Sequence, residues 1–172
     1  DSSLPYVIEK TDHAGPSKAR NIGWRRATSE WIQFLDADDL LHPEKIKTQL
    51  ETTQIVPRET AVVYSDWQRL GLVDGHWQPV GEIISPLIGD DPIMDILKAE
   101  NTALVGSYLI RRTWLKKVSG FDERHCLIED IDLLLRIAME GGRFHRLESG
   151  RPLFFYRQRR GESLSQRDSR EF

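Results

Sequence analysis

Trp31-Ile32-Gln33-Phe34-Leu35-Asp36-Ala37-Asp38-Asp39 decides how this chain reads. The first five residues form a short apolar run, the signature of a buried strand. Three carboxylates follow within four residues, at that strand's carboxyl end, where open α/β sheets place their ligands. On a strand, Asp36 and Asp38 point to one face, while Asp39 faces elsewhere or caps the next element. Carboxylates this close repel one another unless a cation sits among them. A hard divalent ion, Mg²⁺ or Mn²⁺, shared with substrate phosphates suits such a set. The competing reading is a solvated strand-to-helix turn with Asp as a helix cap. For an isolated Asp-x-Asp the cap is the commoner outcome, since short motifs match often by chance.

The 172 residues make one ordinary domain, 39% hydrophobic and 30% charged. A net charge of −3 gives no electrostatic reason to expect nucleic acid as a partner. The single cysteine, Cys126, excludes an internal disulfide framework and suits a reducing compartment. No apolar stretch reaches bilayer length and no signal peptide is visible. The expected location is therefore cytoplasmic, with room for peripheral contact at the inner face of a membrane.

Strands and helices alternate along the chain, which predicts an α/β sheet. Strands are expected at Tyr6-Val7-Ile8, from Trp31 to Leu35, from Ala61 to Tyr64 and from Ala103 to Ile110. Further strands are expected around Phe144 and Leu147 and from Leu153 to Tyr156. Trp67 to Val73, Asp74-Gly75 and His76 to Val80 predict a hairpin on a two-residue turn. Helices are expected after Gly15-Pro16-Ser17, from Pro43 with Ile46 and Leu50 inward, from Ile93 to Ala99, from Arg112 to Val118 and from Glu129 to Glu140. The last of these is the clearest, with Leu133, Leu134, Ile137 and Ala138 at helical spacing and Gly141-Gly142 as its stop. Residues 157–172 read as a mobile polar tail.

Two further constellations carry chemistry. Gly15-x-x-x-Ala19-Arg20-Asn21-x-Gly23 sets a cation and an amide on a helix just before the acidic strand, where they could hold a nucleotide or its phosphates. Taken alone, these are an ordinary surface Arg and a helical Asn. Gly120-Phe121-Asp122-Glu123 and then Glu129-Asp130 place carboxylates at a helix start. One of them could take a proton from an acceptor hydroxyl, although helix dipoles also stabilise acids there for purely structural reasons. His125, Cys126 and Glu129 lack the second Cys/His pair that zinc needs.

In this order, the pieces resemble the family 2 glycosyltransferases of GT-A fold. The family shows Gly-x-x-x-Ala-Arg-Asn-x-Gly, then Phe-Leu-Asp-x-Asp-Asp with a following Pro, then Gly-Phe-Asp-Glu and a helix headed by Glu-Asp. Gly15–Gly23, Phe34–Asp39 with Pro43, Gly120–Glu123 and Glu129-Asp130 match these. The resemblance implies a Rossmann-like GT-A domain over 1–172 with a mixed, mostly parallel sheet. It implies inverting transfer of a sugar, most readily from a UDP-sugar, to a saccharide or lipid-linked acceptor. Polysaccharide or glycoconjugate synthesis at the cell surface is the expected setting. In that scheme Asp130 is the base, and Asp36 and Asp38 hold Mn²⁺ or Mg²⁺. Arg20, Asn21, Asp36 and Arg159 line the nucleotide-sugar side.

The chain departs from the family pattern twice. It starts at Asp1-Ser2-Ser3, so a βαβ unit that needs ~30 residues or more is expected to be missing, and with it the nucleotide-base pocket. Arg159 stands where many members have His. These departures motivate a second reading, a non-catalytic or truncated GT-A module for recognition or assembly. A phosphohydrolase is a third, because clustered aspartates also serve there, but the helix and strand ahead of Asp36 fit it less well.

Overall fold

The computed structural model describes residues 6–12, 15–98, 103–124 and 128–158. Helix α1 (Gly15–Arg26) leads through a short turn into β1 (Trp31–Gln33). Strand β2 (Leu40–Leu41) and helix α2 (Lys45–Thr53) come next. Then come β3 (Thr60–Ser65), β4 (Trp67–Val73), β5 (His76–Ile84) and α3 (Pro92–Lys98). A 3₁₀ turn (Val105–Ser107) opens β6 (Tyr108–Arg111), and α4 (Arg112–Lys117), α5 (Glu129–Met139), β7 (Arg143–Leu147) and β8 (Phe154–Arg157) complete the described chain. None of the described helices is long and apolar enough to cross a membrane.

The strands form two four-stranded sheets, in the orders β1-β6-β3-β7 and β2-β8-β4-β5. The α/β class holds, but the mostly parallel sheet does not. Among the described residues only β3·β7 and β4·β8 run parallel, while β1·β6, β3·β6, β2·β8 and β4·β5 are antiparallel. The cause is where the chain re-enters: Tyr108, which opens β6, sits opposite Tyr64 near the end of β3, so β6 must run back along it.

All six residues of β3 are buried, as a central strand covered on both faces requires. Tyr64, Tyr108 and Ile110 pack there with Leu133, Leu134 and Ile137 of α5. The hairpin forms as its Asp-Gly signal predicts, with Asp74 and Gly75 both at positive φ, 50° and 78°. Tyr6, Val7 and Ile8 are not a strand. They lie in exposed coil and pair with no described strand, and three apolar residues without a ladder partner do not hold an extended conformation. The strand expected from Ala103 begins only at Tyr108, because Val105–Ser107 turns under Phe154. A Cβ at Gly106 would lie 2.1 Å from that buried ring, so only glycine fits.

Helix α2 presents the opposite face from the one its apolar residues suggest. Ile46 and Leu50 are exposed, whereas Lys45 and Gln49 are fully buried. The Lys45 ammonium donates to the side-chain oxygens of Gln33 and Gln49. Gln49 in turn donates to the Val63 and Ser107 carbonyls at 3.0 and 3.1 Å, and Gln33 to the Gly106 carbonyl at 3.1 Å. These amides thus bring side-chain donors to carbonyls of β3 and of the 3₁₀ turn. Burial among neutral groups lowers the Lys45 pKa to about 7, from the usual 10.5.

The folded pKa lies below the unfolded one, so between the two the unfolded chain binds the extra proton and stability rises with pH. The slope from this residue is at most about 1.4 kcal/mol per pH unit. Denaturant unfolding of the native protein should show that rise from pH 7 to 9.5, and Lys45→Met should flatten it. Parallel slopes for the two proteins would mean that Lys45 stays charged in the fold.

Candidate active site

β1 stops at Gln33, two residues before the expected strand end. Phe34 turns into the core and packs edge-on against Phe121, centroid to centroid 5.1 Å. Asp36–Asp39 is a turn rather than strand, closed by the Asp39 N–H donating to the Asp36 carbonyl at 3.1 Å. Strand alternation therefore does not orient the acids, contrary to the expectation from sequence. The turn does separate them: Asp36 is half-exposed, Asp38 exposed and Asp39 buried. The turn leaves the first sheet at β1 and enters the second at β2, so the acids stand at the junction of the two sheets.

Asp39 accepts the backbone N–H of Arg157 at 2.8 Å, tying the turn to β8. Burial pushes its pKa up to about 7, the charges of Asp38 and Asp36 push the same way, and the Arg157 N–H opposes them. The Arg157 guanidinium stacks 4.9 Å from the Trp77 ring centroid.

Arg20, from α1, reaches two carboxylates. Its Nη2 donates to both oxygens of Asp36 at 2.8 and 2.9 Å, and its Nη1 to Glu129 at 2.8 Å. Asn21, 1% exposed, makes four hydrogen bonds. Its Nδ2 donates to the Phe121 carbonyl and to Glu123 at 2.8 and 2.9 Å. Its Oδ1 accepts from Trp24 Nε1 at 2.8 Å and from the Phe121 N–H at 3.0 Å. That is the full bonding capacity of an amide side chain. Gly120, at φ 76°, is required beneath it, because a Cβ would lie 2.4 Å from Asn21 Oδ1. Arg136 closes the same turn by donating to the Val118 and Gly120 carbonyls at 2.7 and 2.8 Å while pairing with Asp132.

Asp130 lies in the first turn of α5, where one of its oxygens accepts the Ile131 N–H at 2.9 Å. Withdrawal from water raises its pKa to about 6, with Glu129 adding to the rise and Arg20 opposing it. The Tyr108 hydroxyl faces the same charges. It is fully buried, has no hydrogen-bond partner among the described residues, and its pKa is pushed well up by burial and then by Asp130. The structure thus gathers Arg20, Asp36 and Glu129 in direct contact, with Asp130 beside them. Asp38 stands apart on the solvent side of the turn. Asn21 serves the Gly120–Glu123 turn. Arg159, and the His125 and Cys126 of the zinc reading, lie outside the described residues.

Three participants were not legible as such in the sequence: Glu129 as the partner of Arg20, the Tyr108 hydroxyl, and the Arg157 backbone. Only Glu129 carried a signal, its place beside Asp130 at a helix start.

Among the described residues, no three His, Cys, Asp or Glu side chains converge on one point as ligands. The half-exposed Asp36 and exposed Asp38 nevertheless suit an ion that takes one or two carboxylates and completes its shell with substrate phosphates and water. An apolar cleft of about 490 Å³ between α1 and the free edge of β1, lined by Ala19, Trp24, Ile32 and Phe34, opens at Asp36.

Asn21→Ala should strand the Phe121 N–H and the Trp24 indole N–H, at a combined cost of about 3 kcal/mol. Chemical denaturation would measure it, and a loss under about 1 kcal/mol would mean that these donors find other partners.

The family model described as glycosyltransferase like family 2 matches residues 3–166. An uncharacterized glycosyltransferase of Haemophilus influenzae is 25% identical over 134 residues, which is 78% of this chain and 44% of that protein. An uncharacterized glycosyltransferase of Rickettsia conorii is 41% identical over 51 residues, 30% of this chain and 8% of that protein. In three dimensions the chain is similar to S. aureus TarS 1–349 in complex with UDP-GlcNAc. The TM-score is 0.67 at 20% identity, over 92% of this chain and 43% of that one. The UDP complex of the same protein gives 0.59 at 19% identity, over 87% and 42%. The chain therefore spans less than half the length of these relatives. With its motifs in family order, its α/β sheets in the arrangement of a GT-A glycosyltransferase, and a family match along nearly its whole length, this chain belongs to the glycosyltransferase like family 2.

Proposed function

We propose that the chain carries the metal and base residues of an inverting, metal-dependent glycosyltransferase. The donor is a nucleoside-diphosphate sugar, a UDP-sugar foremost, and the acceptor is a hydroxyl on a saccharide or lipid-linked molecule of cell-surface polysaccharide or glycoconjugate synthesis. The observation that carries this reading is the cluster itself. Asp36, from the acidic turn, and Glu129-Asp130, from the start of α5, meet around Arg20 although they are far apart in sequence. The donor class is supported by the TarS likeness, since that protein's structures hold UDP-GlcNAc and UDP.

Asp36 and Asp38 would hold Mn²⁺ or Mg²⁺, which when bound neutralises the charge that develops on the departing nucleoside diphosphate. Arg159 would add a cation to the diphosphate. Asp130 accepts the proton of the acceptor hydroxyl. The acceptor oxygen then bonds to the anomeric carbon as the bond from that carbon to the diphosphate oxygen breaks on the opposite face, which inverts the centre. A carboxyl lifted to about 6 is ionised at neutral pH yet basic enough to take that proton.

In the natural full-length protein, kcat/KM should fall as pH drops through about 6, where Asp130 protonates. Asp130→Asn should lower turnover by about 10²–10⁴-fold while leaving UDP binding in place. Turnover that survives this change removes Asp130 as base. UDP binding by a native protein that never turns over any donor would instead favour the non-catalytic module. Calorimetric titration with UDP should show tighter binding with Mn²⁺ than with chelator, and Asp38→Ala should erase that difference. Metal-independent binding that Asp38→Ala leaves intact would sink the metal-dependent reading.

A further inference from the structure

Arg20 matches a position that lines the nucleotide side in the family, yet its geometry points elsewhere. Two of its three nitrogens are bonded, Nη2 to both oxygens of Asp36 and Nη1 to Glu129. Its Nε is buried with no acceptor among the described residues, and its guanidinium lies 5.4 Å from the centroid of the Phe121 ring. The side chain is 11% exposed, as is that of Glu129, while Asp36 keeps 43%. Asp36 is therefore the more open of the two to a ligand from solvent, although Arg20 also lines the cleft beside it.

We infer that Arg20 is a positioning residue that joins the two halves of the site, holding the acidic turn against the start of α5 and cancelling the charge of Glu129 beside Asp130. This inference rests on the transferase reading above. Among the described residues, the charged and titratable groups around Asp130 are few: Glu129 on its own helix, Arg20 on α1, Tyr108 on β6 and, across Arg20, Asp36 on the acidic turn. Arg20 is the only cation of that set. Without it, Asp130 loses an attraction and gains an unscreened neighbouring carboxylate, and both effects favour its protonated form. Glu129 is as buried as Arg20 and would become an unpaired buried charge.

The test is a double-mutant cycle in the natural full-length protein, read on the acid limb of kcat/KM against pH. Arg20→Met should move that limb to higher pH by about one unit. Arg20→Met combined with Glu129→Gln should bring it back to within about 0.3 unit of the native value, because the charge that Arg20 cancels is gone. If Arg20→Met does not fold, Arg20→Lys, which keeps the charge and loses the fork, should give a smaller shift that Glu129→Gln also reverses. If a variant is too slow to assay, ¹³C NMR titration of labelled aspartate carboxyls follows the same group without turnover. A phosphate-contacting Arg20 would give a different result: a raised donor KM, an unmoved acid limb and no rescue by Glu129→Gln. That result overturns the inference. Failure of the transferase reading shows separately, as UDP binding by a native protein that never turns over any donor.

Discussion

One largely buried guanidinium holds the functional end of this molecule together. Arg20 comes from α1, Asp36 from the turn after β1, and Glu129 from the start of α5. A nearly buried cation between two carboxylates is stable only when its donors are aimed at acceptors, and a planar fork can do that for two partners at once. Asn21, one residue on, performs the neutral counterpart of the same task. It fills the amide positions of the Gly120–Glu123 turn and thereby fixes the approach to α5. Consecutive residues of one helix thus set the distance between the acidic turn and the helix that carries Asp130.

The carboxyls of this region show how environment divides identical chemistry. Asp39 and Asp130 are both driven upward by burial, yet they end in different roles. Asp39 receives a backbone N–H from β8 and ties the two strands of its sheet edge to the acidic turn. Asp130 accepts backbone N–H groups at the start of its own helix, with Glu129 and Arg20 acting on it in opposite directions. Asp36 stays half in water while both of its oxygens accept from the less exposed Arg20.

The support beneath the site is polar where a helical wheel would have made it apolar. Lys45 and Gln49 occupy the inward face of α2, and Ile46 and Leu50 are left outside. Hydrophobic spacing misleads here because the strand end and the 3₁₀ turn below α2 present carbonyls, not methyl groups. A helix that satisfies those carbonyls is preferred to one that covers them with leucine. Gly106 belongs to the same arrangement, since its missing side chain lets Phe154 close over the turn that Gln33 and Gln49 hold.

The order of strands and helices, the Asp-Gly hairpin, α5 with its stop at Gly141, and the candidate acids were all legible in the chain, because each depends on neighbours within a few residues. Resemblance in motif order then named the family. What stayed hidden depends on contacts between distant segments. The mostly antiparallel pairing arises from where the chain returns beside β3. The acids form a turn because β1 ends early. Glu129 becomes Arg20's partner only when the fold brings the start of α5 beside α1. The inward face of α2, the buried Tyr108 hydroxyl and the link from Asp39 to Arg157 were likewise decided by which groups the fold left without water. Local sequence sets which conformations a segment prefers. Burial sets which polar groups must find one another, and that is known only once the segments have been brought together.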